Sequence, residues 1–406
     1  MKILSISQVY YPDTASVAQH LSDLMEQLSA SGHSVEVFTS NRDYENPQKK
    51  FKKTEVYKNV IIHRISSTGL GKKRRLFRII DFLTFNISIF WKLMLIKPKE
   101  FDIIIGLTTP PLVSYLGIIF AKIKQSKFLY WTMDLQPELS IAAGYLKEGS
   151  FVSNFLQKRG DFIFKKSDKI IALDVYMQRH IENRLKSKQE KIDIIPVWPV
   201  MEEQYFGNRL DNPFRITNNF SDKIVIMYSG NHSVMHPLDT LLDAAKILQK
   251  DNRFLFVHIG GGVRLLDVKE FKRSNNLNNI IILPYQPREN IHLSLGSSDI
   301  QVVSLGSNCV GYTHPNKIYG AMFIGKPILY IGPAQSHITD ILANCEGNII
   351  VNHGDHLSLV NQLIQFASLS TDKRDFIGST NKLFAENNFH PTKLKSRMIT
   401  SIESIN

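Results

Sequence analysis

The feature that most constrains this chain is an alternation of short apolar runs with segments of helical period, present twice and interrupted once. Ile3, Leu4 and Ile6 form a first apolar strand, followed by the loop 10–16. Val17, Leu21, Leu24, Met25 and Leu28 then recur at helical spacing. Gly32 stops that helix, and residues 35–39 read as the next strand. A strand–helix–strand unit of this length implies a parallel sheet. The pattern continues with strands at 101–106, 128–131, 169–173 and 192–196, and with helices at 112–124, 151–166 and 175–185. From Trp198 to Asp222 the periodicity is lost among Pro199, Pro213 and several Asn, as in a linker. A second series follows, with strands at 223–229, 254–259, 280–283, 300–304, 327–331 and 347–351 and a helix at 238–248. Residues 386–406 read as a terminal helix after a Phe389-His-Pro391 break. The expected fold class is therefore α/β, with two Rossmann-like domains, 1–198 and 223–385, joined by a 199–222 linker and facing a cleft.

Composition narrows the function. Lys+Arg 49 against Asp+Glu 37 gives a net charge of +12, which calls for an acidic partner: nucleic acid, anionic lipid or a phosphorylated substrate. No recognised nucleic-acid motif accompanies the basic residues, so no nucleic-acid partner is expected. The two cysteines, Cys309 and Cys345, make neither a C-x-x-C zinc site nor a disulfide framework, and they fit a reducing cytoplasm. The apolar run at the N-terminus is too short for a signal peptide and reads as a strand.

Several segments can carry chemistry. In 228–245 a strand ends at Gly230-Asn231 and a helix starts a few residues later, which is either a phosphate seat or an ordinary βα turn. Gly260-Gly261-Gly262 also ends a strand, and permits close backbone approach to a ligand or makes a plain tight turn. In 311–332, His314, Asn316 and Lys317 precede a small-residue helix beginning near Ile318 and Tyr319. A lysine at a helix start suits a diphosphate; a solvated loop lysine is the alternative. Asp134 and Glu138 follow a strand end, where a carboxylate orients sugar hydroxyls, acts on a proton or caps a helix. Lys72, Lys73, Arg74 and Arg75 open a Phe/Trp/Leu-rich run to Ile96 that carries Arg78, Asp81, Asn86 and Lys92. This is too polar to span a bilayer, and it reads as an interfacial helix on an anionic membrane or as a core helix over the sheet.

These segments resemble, in order and spacing, the bacterial GT-B glycosyltransferases, above all the retaining family 4 (group 1) transferases of capsule, O-antigen and exopolysaccharide synthesis. The likeness rests on Tyr11-Pro12 and its loop, Thr108-Thr-Pro-Pro111, Asp134-Leu-Gln-Pro-Glu138, Tyr228-Ser-Gly-Asn231, Ile259-Gly-Gly-Gly262, Pro315-Asn-Lys-Ile-Tyr319 and Gly325-Lys-Pro327. It covers nearly the whole chain. The departures are specific. Ala15-Ser16 stand where many members have Gly-Gly. Asn231 and His236 replace an Arg and a Lys, and Tyr312 and Gly320 replace a glutamate pair.

The resemblance implies a nucleotide-sugar donor, UDP- or GDP-linked, in the second domain. Its contacts would come from Ser16, Gly230, Asn231, His236, Gly261, Gly262, His314, Asn316, Lys317, Ile318 and Tyr319. Lys317 would supply the phosphate charge and stabilise the leaving group with no metal and no cofactor. Asp134 and Glu138 complete the candidate catalytic set with Lys317. It further implies retention, a lipid-linked or oligosaccharide acceptor held by the first domain, a terminal helix crossing back to that domain, and a peripheral position on the cytoplasmic membrane. Two other readings compete: a sugar-nucleotide epimerase of the same fold, which needs a carboxylate pair at the sugar carbon, and a non-catalytic nucleotide-sugar-binding relative.

Overall fold

A computed structural model describes residues 1–71, 75–200, 209–220 and 222–405. Lys72, Lys73 and Arg74 therefore lie outside the described residues, as do 201–208 and 221 of the expected linker. The chain divides into two compact units: Met1–Val197 with Gly311–His314 and Thr392–Asn406, and Trp198–Val310 with Pro315–Pro391.

In chain order the first unit contains β1 (Lys2–Ile6), α1 (Ser16–Ala30), β2 (Ser34–Ser40), β3 (Thr54–Tyr57), β4 (Val60–Ile65), α2 (Arg75–Met94) and β5 (Ile103–Gly106). It continues with α3 (Val113–Ile123), β6 (Lys127–Trp131), α4 (Glu138–Ala142), α5 (Phe151–Lys166), β7 (Lys169–Ala172), α6 (Val175–Leu185) and β8 (Ile192–Ile194). The strands form one sheet in the order β3-β4-β2-β1-β5-β6-β7-β8. All its pairings are parallel except β3 with β4. Ile103, Ile104 and Ile105 on β5 and Ile170 and Ile171 on β7 have no exposed surface, as expected for strands covered on both faces.

The β3–β4 hairpin is absent from the sequence reading. Its turn is Lys58-Asn59, both at positive φ, the geometry of a tight two-residue hairpin turn. Lysine there hides the signal that glycine would give.

The second unit contains α7 (Pro213–Thr217), β9 (Ile224–Ser229), α8 (Asp239–Ile247), β10 (Phe254–Ile259), α9 (Leu265–Ser274), β11 (Ile280–Leu283), α10 (Ile291–Gly296) and β12 (Ile300–Ser304). Then come α11 (Lys317–Phe323), β13 (Ile328–Ile331), α12 (His337–Leu342), β14 (Ile349–Val351), α13 (His356–Ser368) and α14 (Thr371–Phe389). Its sheet runs β11-β10-β9-β12-β13-β14 and is parallel throughout. That is the 3-2-1-4-5-6 order of a doubly wound sheet, with its switch point between β9 and β12.

Part of the expected linker is folded. Asn212 caps α7 by accepting the Phe214 and Arg215 N–H groups, and Phe220 joins the core with Val225 and Met227. Arg215 donates to the Ser297 carbonyl at 2.7 Å and pairs with Asp299 at 3.3 Å. A buried arginine at the position of an expected linker is invisible to periodicity, because its partners lie some eighty residues away.

The expected terminal helix is two elements. α14 runs through to Phe389, and α15 (Pro391–Glu403) starts after His390. α15 lies with the first unit, where Ser401 donates to Asp193 at 2.6 Å, Arg397 to the Ile194 carbonyl at 2.7 Å, and Glu403 meets His33 at 3.0 Å.

Candidate functional site

The second-unit site forms where β9 and β10 end, beside the switch point. Gly230 follows β9 at φ +127°, and a Cβ added there would lie 2.8 Å from Cε of Lys317. The lysine stem thus rests on the glycine backbone, across 87 residues of sequence. Gly260 fits the same way: its missing Cβ leaves room for the Gly230 carbonyl, which would otherwise lie 2.2 Å away. Gly262 likewise makes room for the Asn231 side chain and the His232 backbone. The two glycine turns therefore interlock, and 260–262 makes a tight turn that closes on the 230–232 segment. Neither turn tolerates a side chain, on grounds of space and of positive φ.

Lys317 is half-buried at the start of α11, its Nζ 5.0 Å from the centre of the Tyr228 ring. It makes no ion pair within 4.0 Å among the described residues. Burial alone pushes its ammonium down to about 8. A poorly solvated cation with no carboxylate is costly, and an incoming anion offsets that cost.

The histidines around it are neutral. Burial lowers His236 to about 3, helped by the nearby Lys317 charge, and its Nδ1 lies 2.7 Å from the Ser304 carbonyl. Burial likewise lowers His232 to about 4 and His258 to about 3. The sequence pattern does not single out His232, His258 or Tyr228 as site residues. His232 Nδ1 lies 3.1 Å and 3.3 Å from the Gly230 and Gly261 carbonyls, and its Nε2 is 3.3 Å from His258 Nδ1. Tyr228 donates to the Asn231 carbonyl at 2.8 Å. The only available signal was the Gly-x-His spacing after a strand end.

The other donor candidates fall in different places. Asn231 is exposed on the turn, and Asn316 directly precedes α11. Ile318 and Tyr319 are core residues with 0 % and 1 % exposure. Their N–H groups donate to the Pro315 and Asn316 carbonyls at 3.3 Å, so α11 does not hold them open for a phosphate. Ser16 opens α1 in the first unit, against His20 at 3.3 Å.

His314 also belongs to the first unit, although it lies three residues from Lys317 in sequence. Its Nδ1 is 2.7 Å from Asp174, whose other oxygen caps α6 through the Met177 N–H at 2.8 Å. Next to it, Thr313 donates to Asp134 at 2.7 Å, and Leu135 N–H donates to the Tyr312 carbonyl at 2.8 Å. Burial raises the Asp134 carboxyl against that hydroxyl bond. Asp134 is therefore not a helix cap: α4 starts at Glu138, after Pro137.

Glu138 is fully engaged. His180 lies 3.1 Å and Arg184 3.0 Å from its oxygens, and Arg184 also reaches Asp161 at 2.7 Å and the Gln136 carbonyl at 3.2 Å. Burial works to raise this carboxyl, but His180 and Arg184 outweigh it and hold it low. A carboxylate with both oxygens in such a network fixes α4 to α6 and is poorly placed to move a proton.

α2 carries two apolar faces. Phe85, Ile89 and Leu93 have no exposed surface. Leu76, Ile79, Leu83, Ile87 and Trp91, at spacings of three and four, are each more than half exposed. Arg78 is exposed on the same helix. Its one carboxylate, Asp81, is turned inward onto the Leu70 and Gly71 N–H groups. Among the described residues no helix is long and apolar enough to cross a membrane.

Comparison with known proteins decides the family. Residues 17–197 match the model of Glycosyltransferase Family 4, and residues 211–383 match that of Glycosyl transferases group 1. The chain belongs to the group 1 glycosyltransferases. It is 22% identical over 249 residues to a protein of Pseudomonas aeruginosa named as glycosyltransferase WbjE, a match spanning 61% of either chain. It is 22% identical over 370 residues to WcaI of Escherichia coli (strain K12), named as a colanic acid biosynthesis glycosyl transferase. That match covers 86% of this group 1 chain and 87% of WcaI.

Solved structures show the same GT-B fold. Sucrose-phosphate synthase of Thermosynechococcus elongatus aligns with TM-score 0.76 at 15% identity, over 100% of this chain and 99% of that one. Anabaena Alr3699/HepE, in complex with UDP-glucose, aligns with TM-score 0.72 at 14% identity over all of both chains. WaaG, a glycosyltransferase involved in lipopolysaccharide biosynthesis, gives 0.70 at 12% identity, over 97% of this chain and 98% of that one.

Proposed function

We propose that this group 1 glycosyltransferase moves a sugar from a UDP- or GDP-linked donor, with retention, to a lipid-linked glycan acceptor in cell-surface polysaccharide synthesis. The observation that carries the reading is Lys317, a half-buried ammonium with no carboxylate partner among the described residues, laid across Gly230 at the switch point of the second sheet. Doubly wound sheets bind ligands at such a point, outside the strand ends. The donor diphosphate meets Lys317, Gly230 and the Asn231 turn. When the sugar leaves, negative charge collects on the nucleoside diphosphate, and Lys317 stabilises it without a metal. Asp134, its carboxyl raised by burial, orients an acceptor hydroxyl, and the departing phosphate takes the proton. HepE, the neighbour bound to UDP-glucose, supports a donor of this chemistry.

The acceptor is presented from an anionic membrane surface. The exposed row Leu76, Ile79, Leu83, Ile87 and Trp91, with Arg78 and no outward carboxylate, matches an interfacial helix. The enzyme is then peripheral on the cytoplasmic leaflet.

The decisive experiment is a panel of nucleotide sugars in thermal shift, followed by transfer of radiolabel from the stabilising donor to a lipid fraction. Stabilisation by one donor, lost in Lys317→Ala, with label recovered in lipid, is the expected result. Conversion of that donor to an isomeric nucleotide sugar, with no label in lipid, would establish the epimerase instead. Stabilisation by a donor with neither label in lipid nor an isomeric product would leave the non-catalytic nucleotide-sugar-binding relative, and no stabilisation by any donor would refute the donor site.

A further inference from the structure

A second polar concavity lies within the second unit, at the amino ends of β12 and β13 and the start of α14. The Gly230 turn and Lys317 stand at the other end of that sheet, where β9 ends. The segment Gly325-Lys326-Pro327, which the donor site does not use, lines the concavity. Gly325 turns the chain from α11 into β13 at φ +74°. Gly378 on α14 has no room for a Cβ against the Gly325 carbonyl, so the helix lies directly on this turn. Asn381 fixes it there by donating to the Lys326 carbonyl at 2.9 Å.

Cations outweigh carboxylates at this place. Arg209, Lys326 and Arg374 line the concavity with Asp299 and Asp375. Asp299 is spent: its two oxygens pair with Arg209 and Arg215, and one of them also accepts the Val225 N–H at 2.9 Å. Asp375 is exposed at the rim.

Lys326 and Arg374 are left over. Lys326 is half-buried, and among the described residues its ammonium has no carboxylate within 4.0 Å. Burial pushes it below the usual lysine range, against the pull of Asp299 and Asp375 and with the push of Arg215 and Arg209. Arg374 lies over the Phe366 ring at 5.9 Å and reaches the Thr371 hydroxyl only at 3.5 Å. Its Nη1 is buried and has no partner among the described residues.

A poorly solvated cation with no counter-charge is costly, and an arriving anion relieves the cost. Thr371 opens α14 beside these two groups, after the Ser370 cap, and the positive end of a long helix adds to the field. An ammonium, a guanidinium edge and a helix start together suit the several oxygens of a phosphoryl group.

We infer that this concavity binds a phosphoryl group, as free phosphate or a phosphate monoester, between Lys326 Nζ and Arg374 Nη1 at the start of α14. It is an anion site separate from the donor diphosphate, and it stands whether or not the donor reading does.

Isothermal titration calorimetry of the full chain tests this at constant ionic strength. The Lys317→Ala protein, in which the donor lysine cannot contribute, is titrated with inorganic phosphate. A Kd of about 1 mM is expected, which two charge-assisted contacts supply. Adding Lys326→Met should weaken binding about tenfold. Methionine keeps the stem and removes an uncompensated charge, so this variant retains its fold. Arg374→Gln should weaken binding by about the same factor; if it fails to fold, Lys326→Met decides alone. Glycerol 3-phosphate separates the two sources. Affinity equal to that of phosphate assigns a monoester, and binding of phosphate alone assigns the free anion. Acetate should bind about tenfold more weakly than phosphate.

Phosphate affinity unchanged in Lys326→Met, or in a folded Arg374→Gln, overturns the inference. Acetate binding as tight as phosphate overturns the phosphoryl assignment. Phosphate binding that is present in the wild type and absent in Lys317→Ala also overturns it, because the anion then sits in the donor site. So does the absence of binding to either protein at about 10 mM phosphate.

Discussion

Replacing Lys317 by methionine should stabilise the free protein and disable it. The ammonium is pushed from 10.5 to about 8 by burial. At about 1.4 kcal/mol per unit this is a cost of about 3 kcal/mol to the folded state, or about 2 after allowing for partial solvent screening. The unfolded chain holds this proton more tightly. Below pH 8 both states are protonated and the full cost is present; between pH 8 and 10.5 the folded chain sheds the proton first and the cost fades. Stability therefore rises with pH through that window in the wild type, and Lys317→Met removes the rise.

Methionine keeps the stem over Gly230 and lacks the charge. At pH 7 it should raise the melting temperature by roughly 4–8 °C, at about 2–4 °C per kcal/mol for a unit of this size. The same variant should bind its nucleotide diphosphate about 10–150-fold more weakly, the value of a charge-assisted hydrogen bond. Wild-type binding should weaken about tenfold from pH 7 to 9 as the free lysine loses its proton, while the variant's residual binding stays flat. Differential scanning fluorimetry with and without UDP or GDP, and calorimetry at both pH values, read all of this. A lower melting temperature with unchanged nucleotide affinity would refute the reasoning.

Gly230→Ala should act through the same contact: its Cβ falls 2.8 Å from Lys317 Cε at a φ of +127°, so donor KM should rise about tenfold or more in steady-state assays. Glu138→Gln should lower stability by about 2–4 kcal/mol in urea titration, because Arg184 loses the more buried of its two carboxylate partners. The folded fraction should keep its kcat, and a kcat loss of a hundredfold at unchanged stability would restore Glu138 to the chemistry. Asp299→Asn should cost about 3–5 kcal/mol in the same titration by leaving Arg215 and Arg209 without their shared carboxylate. Leu83→Glu or Trp91→Glu on the outward face of α2 should abolish flotation with anionic vesicles and leave the melting temperature within about 1 °C.

Local pattern determined most of the elements. The apolar runs at 3–6, 103–105 and 224–228 could only be buried parallel strands, and the three-four spacing of Leu21, Leu24, Met25 and Leu28 only a helix. It also marked Gly230, the 260–262 glycines and Lys317 as candidates, while an ordinary βα turn, a plain tight turn and a solvated loop lysine stayed open as alternatives. A short polar turn such as Lys58-Asn59 gave no comparable signal. Neither did the folding of 209–220, which depends on a distant carboxylate, Asp299, and a distant carbonyl, Ser297.

Which polar residues stand together was decided by tertiary structure alone. His314 and Lys317 are neighbours in sequence, yet one is held by Asp174 in the first unit and the other lies on Gly230 in the second. Glu138 and Asp134 are alike on paper. In space one is saturated by His180 and Arg184, and the other accepts from the Thr313 hydroxyl and has a carboxyl raised by burial. Periodicity reports which way a side chain faces relative to its own strand or helix. Partnership between charges, and therefore which ones are left to bind a ligand, depends on contacts between residues far apart in the chain, and only the folded backbone sets those.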